Sequence, residues 1–228
     1  MSSKRRSVVR VKICGIGDPA AGVAAAEAGA DAIGLIFAPS RRRVTVERAR
    51  EIVAALPPFV AKVGVFVDET RERIVETVEA VGLDTVQLHG SESPGFARSF
   101  SLPVLKAIRV RDDSSLTALD DYAVAAFLLD AYDPEVLGGT GRTFDWSLAA
   151  TAALRRRIIL SGGLRPDNVL EALDRVRPYG VDVSSGVETS GVKDHAKIRE
   201  FVHLVHEWDS RQAAMTPNPS RVLPRGGG

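Results

Sequence analysis

The feature that most constrains this chain is one alternation repeated eight times. A short run of β-branched and aliphatic residues is followed by a longer stretch whose apolar positions recur at helical spacing. The runs are residues 9–13, 32–37, 61–66, 85–88, 104–108, 126–129, 158–160 and 181–183. Each is apolar at most positions rather than at every second one, as in parallel strands covered on one face and packed on the other. The helical stretches are 18–28, 45–56, 70–81, 93–99, 114–122, 145–154, 165–176 and 194–207. The first opens on Asp18-Pro19, a cap followed by a proline at the first helical position. Eight such units with no second zone of composition imply an α/β fold, a single (β/α)8 TIM barrel. An open doubly wound sheet fits less well, because Gly15-Ile16-Gly17-Asp18-Pro19 starts a Gly-x-Gly-x-x-Gly turn without completing it.

The barrel is expected over residues 8–208 of the 228, between a disordered tail at 1–7 and another at 209–228, where Pro, Gly, Ser and Asn replace periodicity. Thirty Lys and Arg against 29 Asp and Glu leave a formal charge of +1, so no bulk electrostatic case exists for nucleic acid or an anionic membrane. The basic run Lys4-Arg5-Arg6 reads as a solvated tail. No apolar stretch approaches the roughly 20 residues of a bilayer span, and the first residues lack the plan of a signal peptide. One cysteine excludes an intrachain disulfide and a cysteine-based zinc site. A cytoplasmic protein without metal or cofactor is expected, monomer and homodimer being equally compatible with the pattern.

Barrel enzymes work at the C-terminal ends of their strands. The residues delivered there are Cys14, 39–43, Asp68, 87–89, Arg109, Asp130, 161–163 and 184–186. Gly162-Gly163 after the seventh strand and Ser184-Ser185-Gly186 after the eighth are small enough to bring backbone N–H groups onto an anion, and phosphate binding after these two strands recurs in the fold. A phosphorylated small molecule is therefore the expected ligand. The glycine-rich segment 138–143, with Gly139 and Arg142, is either a surface loop or a lid whose arginine reaches the phosphate. Cys14 is either a small buried hydrophobe or a base activated by a nearby cation or helix terminus. Asp130 is either a turn cap or an acid kept protonated by apolar surroundings. The two stand three strands apart around a closed ring, facing each other across its mouth. One base and one acid on opposite sides of a sugar phosphate suit an aldose–ketose isomerisation, which needs neither metal nor redox cofactor.

Val11-Lys12-Ile13-Cys14-Gly15-Ile16 resembles the opening signature of the phosphoribosylanthranilate isomerase family of tryptophan biosynthesis. Segments 29–34, 63–66, 86–90 (Val-Gln-Leu-His-Gly), 138–146, 160–164 and 182–188 resemble its other blocks in the same order, so the likeness runs from about residue 8 to 205. The resemblance implies conversion of N-(5-phosphoribosyl)anthranilate to 1-(2-carboxyphenylamino)-1-deoxyribulose 5-phosphate. Cys14 would be the general base and Asp130 the general acid, and an arginine after the second strand would hold the anthranilate carboxylate. Arg41, Arg42 and Arg43 compete for that place, and the following Val44-Thr45-Val46-Glu47 aligns Arg42 with it. Gln87, His89, Gly139, Arg142, Gly162, Gly163, Asp182, Ser184, Ser185 and Gly186 complete the implied substrate-binding set, a structural role for His89 standing beside it. The related isomerase of histidine biosynthesis, which uses two aspartates, is disfavoured by Cys14. A non-catalytic phosphate-ligand-binding barrel is the third reading.

Overall fold

The computed structural model describes residues 8–110, 112–130 and 146–215. Eight strands, β1 (Arg10–Cys14), β2 (Ala32–Ile36), β3 (Ala61–Phe66), β4 (Thr85–Leu88), β5 (Val104–Arg109), β6 (Ala126–Asp130), β7 (Ile158–Ser161) and β8 (Gly180–Val183), pair in sequence order, and β8 returns to β1 to close the barrel. Every ring pairing is parallel, so each strand must be followed by a crossover on the outside. The crossovers carry α1 (Pro19–Glu27), α2 (Val46–Ala55), α3 (Arg71–Val81), α4 (Pro94–Ala97), a 3-10 helix (Asp113–Asp120), α5 (Trp146–Ala153) and α6 (Val169–Val176), and α7 (His195–Met215) follows β8. Side-chain caps fix where several begin: Asp18, Thr45, Thr70 and Ser93 each accept a backbone N–H from the first turn.

Successive strand residues point to opposite sides. Val11, Ile13, Val86, Leu88, Val181 and Val183 face the helices and join the large outer core. The alternate positions fill the barrel: Val63, Leu105, Ala107, Ala126, Leu128 and Ile159 pack together inside. By the same alternation Lys12, Cys14, Gly34, Gln87, Asp130 and Asp182 take inward positions. The strand periodicity therefore delivers the chemistry to the mouth.

Three expectations are corrected. The boundary at residue 208 is too early, because α7 continues to Met215. Ile198, Phe201, Val202, Val205 and Trp208 are buried on it, and the next residue, Asp209, accepts the Val9 N–H at 2.6 Å with one carboxylate oxygen. The fifth crossover is a 3-10 helix rather than an α-helix, capped by Asp112 and burying only Leu116 and Leu119. A two-stranded hairpin, β9 (Glu188–Thr189) and β10 (Val192–Lys193), follows β8 where the sequence offered no strand pattern. Expectations for residues 1–7 and 216–228, for Gly139 and Arg142, and for a helix start at Asp145 lie outside the described residues.

Candidate active site

The Cys14 side of the mouth is built on β1 and β8, whose register sets Lys12 beside Asp182. Lys12 Nζ donates to Asp182 Oδ1 at 2.8 Å, and Ser161 Oγ donates to the other carboxylate oxygen at 3.2 Å. Both charged side chains are almost fully buried. Two residues further along β1, Cys14 is 6% exposed. Its register partner on β2 is Gly34, and a Cβ there would stand 2.7 Å from Cys14 Sγ and 3.0 Å from Lys12 Nζ. The missing side chain is thus the space in which thiol and ammonium meet. Burial pushes the thiol above its ordinary range, while the Lys12 ammonium, which hydrogen-bonds to it, and the more distant Lys193 pull the other way. Burial also works against the Lys12 charge, but Asp182 and Cys14 outweigh it and keep the lysine a cation.

Across the ring, Asp130 ends β6 with its side chain 19% exposed. Its Oδ2 lies 3.4 Å from His89 Nε2, and His89 Nδ1 lies 3.0 Å from the amide nitrogen of Gln87. Gln87 is 1% exposed and stands behind the histidine rather than at the surface of the mouth. The loop carrying His89 is fixed by a buried pair: Lys106 Nζ reaches Glu92 Oε2 at 2.8 Å and the Gly90 carbonyl at 2.6 Å, and Glu92 accepts the N–H groups of Asp68 and Gly90. A cavity of about 330 Å³ opens beside His89, between Asp68, Arg109 and Tyr122.

Around the rim, Glu188 gathers three cations. Arg42 holds it through Nε (2.6 Å to Oε1) and Nη2 (2.9 Å to Oε2), Arg41 through Nη2 (2.9 Å), and Lys193 through Nζ (2.7 Å). Burial pushes the Glu188 carboxyl up, but hydrogen bonds from Arg42 and Lys193 bring it below its ordinary value. Burial dominates at Lys193 and lowers it. The Arg42 guanidinium is raised by its bond to Glu188, and its stem lies over Gly15. Of the three competing arginines it is the one drawn inward, Arg41 and Arg43 being exposed. One carboxylate against three cations leaves this rim positive, suited to an anionic ligand.

Gly162 and Gly163 both take positive φ, 79° and 69°, which turns the chain sharply after β7. Ser184 follows β8, its carbonyl accepting from Lys193 at 2.9 Å, and residues 185–187 form one 3-10 turn. The two loops touch, since a Cβ on Gly186 would overlap the Leu164 carbonyl.

The structure thus gathers Cys14, Asp130, Arg42, His89, Gly162, Gly163, Ser184, Ser185 and Gly186 at one end of the barrel. Asp182 and Gln87, expected beside the substrate, are buried one layer below and engage Lys12 and His89 instead. Sequence reasoning missed Lys12, Gly34, Glu188 and Lys193. A lysine inside Val-Lys-Ile-Cys was a signal, because a charge on a buried strand requires a partner; Glu188 and Lys193 meet through an unforeseen hairpin. Among the described residues no group of three or more His, Cys, Asp or Glu side chains is disposed to hold a metal ion. Among them, too, no helix is long and apolar enough to cross a membrane.

Residues 11–204 match the family model described as N-(5'-phosphoribosyl)anthranilate isomerase. The chain is 52% identical over 202 residues to the isomerase of that name from Pelobacter propionicus, a match covering 88% of this chain and 97% of the relative. It is 50% identical over 203 residues to that of Geobacter sulfurreducens, covering 88% of this chain and all of the relative. Among solved structures it is similar to phosphoribosyl anthranilate isomerase from Thermotoga maritima, with TM-score 0.80, 45% identity, and coverage of 87% of this chain and 99% of that one. A structure of a phosphoribosyl anthranilate isomerase in complex with reduced 1-(o-carboxyphenylamino)-1-deoxyribulose 5-phosphate matches with TM-score 0.77 and 42% identity over the same shares.

Proposed function

Because the chain belongs to the N-(5'-phosphoribosyl)anthranilate isomerase family, we propose that it catalyses the rearrangement of N-(5-phosphoribosyl)anthranilate to 1-(2-carboxyphenylamino)-1-deoxyribulose 5-phosphate in tryptophan biosynthesis. The observation that carries the residue assignment is the pairing of environments at the mouth. A dry thiol beside a buried ammonium stands on β1, and a partly solvated carboxyl stands on β6. Asp130 gives its proton to the ribose ring oxygen as the C1–O bond breaks, the nitrogen lone pair forming a C1=N⁺ bond. The Cys14 thiolate then takes the C2 proton, and that electron pair forms C1=C2 while the C=N pair returns to nitrogen. Loss of the enol proton and protonation of C1 give the ketone. The sequence is redox-neutral. Arg42 offers the guanidinium for the anthranilate carboxylate, and the paired loops 161–163 and 184–187 offer backbone N–H groups for the phosphate. A cytoplasmic setting belongs to the same proposal, because the lone thiol has to stay reduced.

The test is a coupled assay with anthranilate, phosphoribosyl pyrophosphate and the preceding transferase, following loss of the adduct's fluorescence. The wild-type protein turns the adduct over. Cys14→Ser and Asp130→Asn each lower kcat by about 10²–10⁴-fold while the folded state survives. Near wild-type rates in either variant would remove that residue from its role.

A further inference from the structure

Among the described residues one buried side-chain polar atom has no hydrogen-bond partner, Oε1 of Gln87. A buried acceptor without a donor is costly, and this one sits on a barrel strand where an apolar residue would pack. The other end of the amide faces His89 Nδ1 at 3.0 Å, and His89 Nε2 faces Asp130 Oδ2 at 3.4 Å. A neutral imidazole has one donor nitrogen and one acceptor. With an amide N–H toward it, Nδ1 accepts, so Nε2 carries the hydrogen and donates to Asp130. That arrangement suits an ionised Asp130. A carboxamide has nearly the same outline with either end forward. Turned over, Gln87 presents Oε1 to Nδ1, which must then carry the hydrogen, and Nε2 becomes the acceptor for the O–H of a protonated Asp130. The unpartnered oxygen is the acceptor that this second state requires.

We propose that Gln87 and His89 are positioning residues that follow the proton on Asp130, the imidazole changing tautomer and the amide turning over so that both forms of the acid are hydrogen-bonded. The inference rests on the reading of Asp130 as the general acid. It moves Gln87 and His89 from substrate binding to a place behind the acid. His89 is 24% exposed beside the 330 Å³ cavity, so its ring hydrogens exchange with water. The ionisable groups around it are Asp130 from β6, Arg109 from β5, Asp68 after β3 and Tyr122; Lys106 and Glu92 are bound to each other.

Gln87→Glu separates this role from packing. The new side chain is isosteric but can only accept, so it pins a hydrogen on Nδ1. With Asp130 on the other side it favours the imidazolium, which holds Asp130 ionised. The expected result is a fall in kcat of about a hundredfold with KM within about twofold. The alkaline limb of the kcat profile moves to lower pH. Gln87→Met, which pins neither state, loses about three- to tenfold and keeps its pH limbs. Two-bond ¹⁵N–¹H spectra of histidine-labelled protein without substrate, at about pH 8 where an ordinary imidazole is neutral, place the His89 hydrogen on Nε2 in the wild type and on both nitrogens in Gln87→Glu. A wild-type His89 whose tautomer stays the same as Asp130 takes up its proton across a pH series, or a folded Gln87→Glu with an unchanged pH profile, overturns the coupling. If Gln87→Glu does not fold, the wild-type pH series decides alone. A failure of the acid assignment shows separately, as retained turnover in Asp130→Asn.

Discussion

Replacing Lys12 by methionine is the most informative single perturbation of the site, because it removes a charge while nearly preserving side-chain length. Lys12 Nζ and Asp182 Oδ1 are 2.8 Å apart. At an effective dielectric constant of about 20 their attraction is roughly 6 kcal/mol, against a desolvation cost of several kcal/mol for each ion. The pair is therefore close to neutral for folding, but breaking it is not. Lys12→Met strands the Asp182 carboxylate with Ser161 as its remaining partner and should cost about 3–5 kcal/mol of stability. The double variant Lys12→Met/Asp182→Leu removes both charges and should recover most of that loss. Its chemistry should not recover. Burial already pushes the Cys14 thiol up, and the Lys12 ammonium is the largest influence opposing it. A hydrogen bond to a charged group is worth about 1.5–3 kcal/mol, which is about 10- to 150-fold in thiolate population at fixed pH and so in kcat/KM. The acidic limb of kcat/KM should move to higher pH. Since Cys14 is the one cysteine of the chain, the pH dependence of iodoacetamide alkylation reads the same quantity without substrate. A folded double variant with wild-type alkylation and kcat/KM would refute the reasoning.

Four further outcomes follow from the geometry. Gly34→Ala puts a methyl group 2.7 Å from Cys14 Sγ, inside van der Waals contact; it should cut kcat strongly, and a crystal structure should find the thiol displaced. Arg42→Ala should raise KM with a smaller change in kcat, whereas exposed Arg41→Ala should change KM by less than about threefold; the reverse order would reassign the carboxylate site. Glu188→Gln should abolish a pH-dependent share of stability. The folded Glu188 carboxyl lies below its ordinary value despite burial, so its contribution is complete above about pH 4.3 and lost as pH falls through the lower folded value. Urea midpoints of wild type and variant should therefore converge on acidification, and a constant gap would contradict the assignment. Truncation after Ser210 should leave activity intact, whereas truncation after Trp208 removes the carboxylate that accepts the Val9 N–H and should lower the melting temperature by several degrees.

The barrel was legible because its signal is redundant. Eight apolar runs had to be parallel strands, and the observed strands start and stop within a residue of them. Cys14 and Asp130 were legible for a related reason, since strand ends fix the mouth and period-two alternation fixes the inward face. What the pattern could not carry was the partner of each charge. Lys12 and Asp182 are 170 residues apart and meet only once β8 closes on β1. Glu188 and Lys193 depend on a hairpin of two-residue strands, too short for any periodicity. The end of α7 was misplaced because Asp209 looks like a surface residue until its distant partner, the Val9 N–H, is known.

These unread partners divide the mouth into two dissimilar halves, and the difference bears on the chemistry. On the β1 side the thiol, its ammonium and the supporting carboxylate are all nearly dry, so the thiol feels fixed charges at low screening. On the β6 side Asp130 is 19% exposed, and its neighbour His89 is 24% exposed and lines a cavity that admits water. In the proposed mechanism Asp130 must be reprotonated in each turnover, and its own exposure gives it that access. On the dry side the thiol is held above its ordinary range by burial, so it depends on the Lys12 ammonium to offset that cost. The division also says where substitution is tolerated: swaps of neutral for charged residues should be far more damaging among Lys12, Gly34 and Asp182 than along the rim of the His89 cavity.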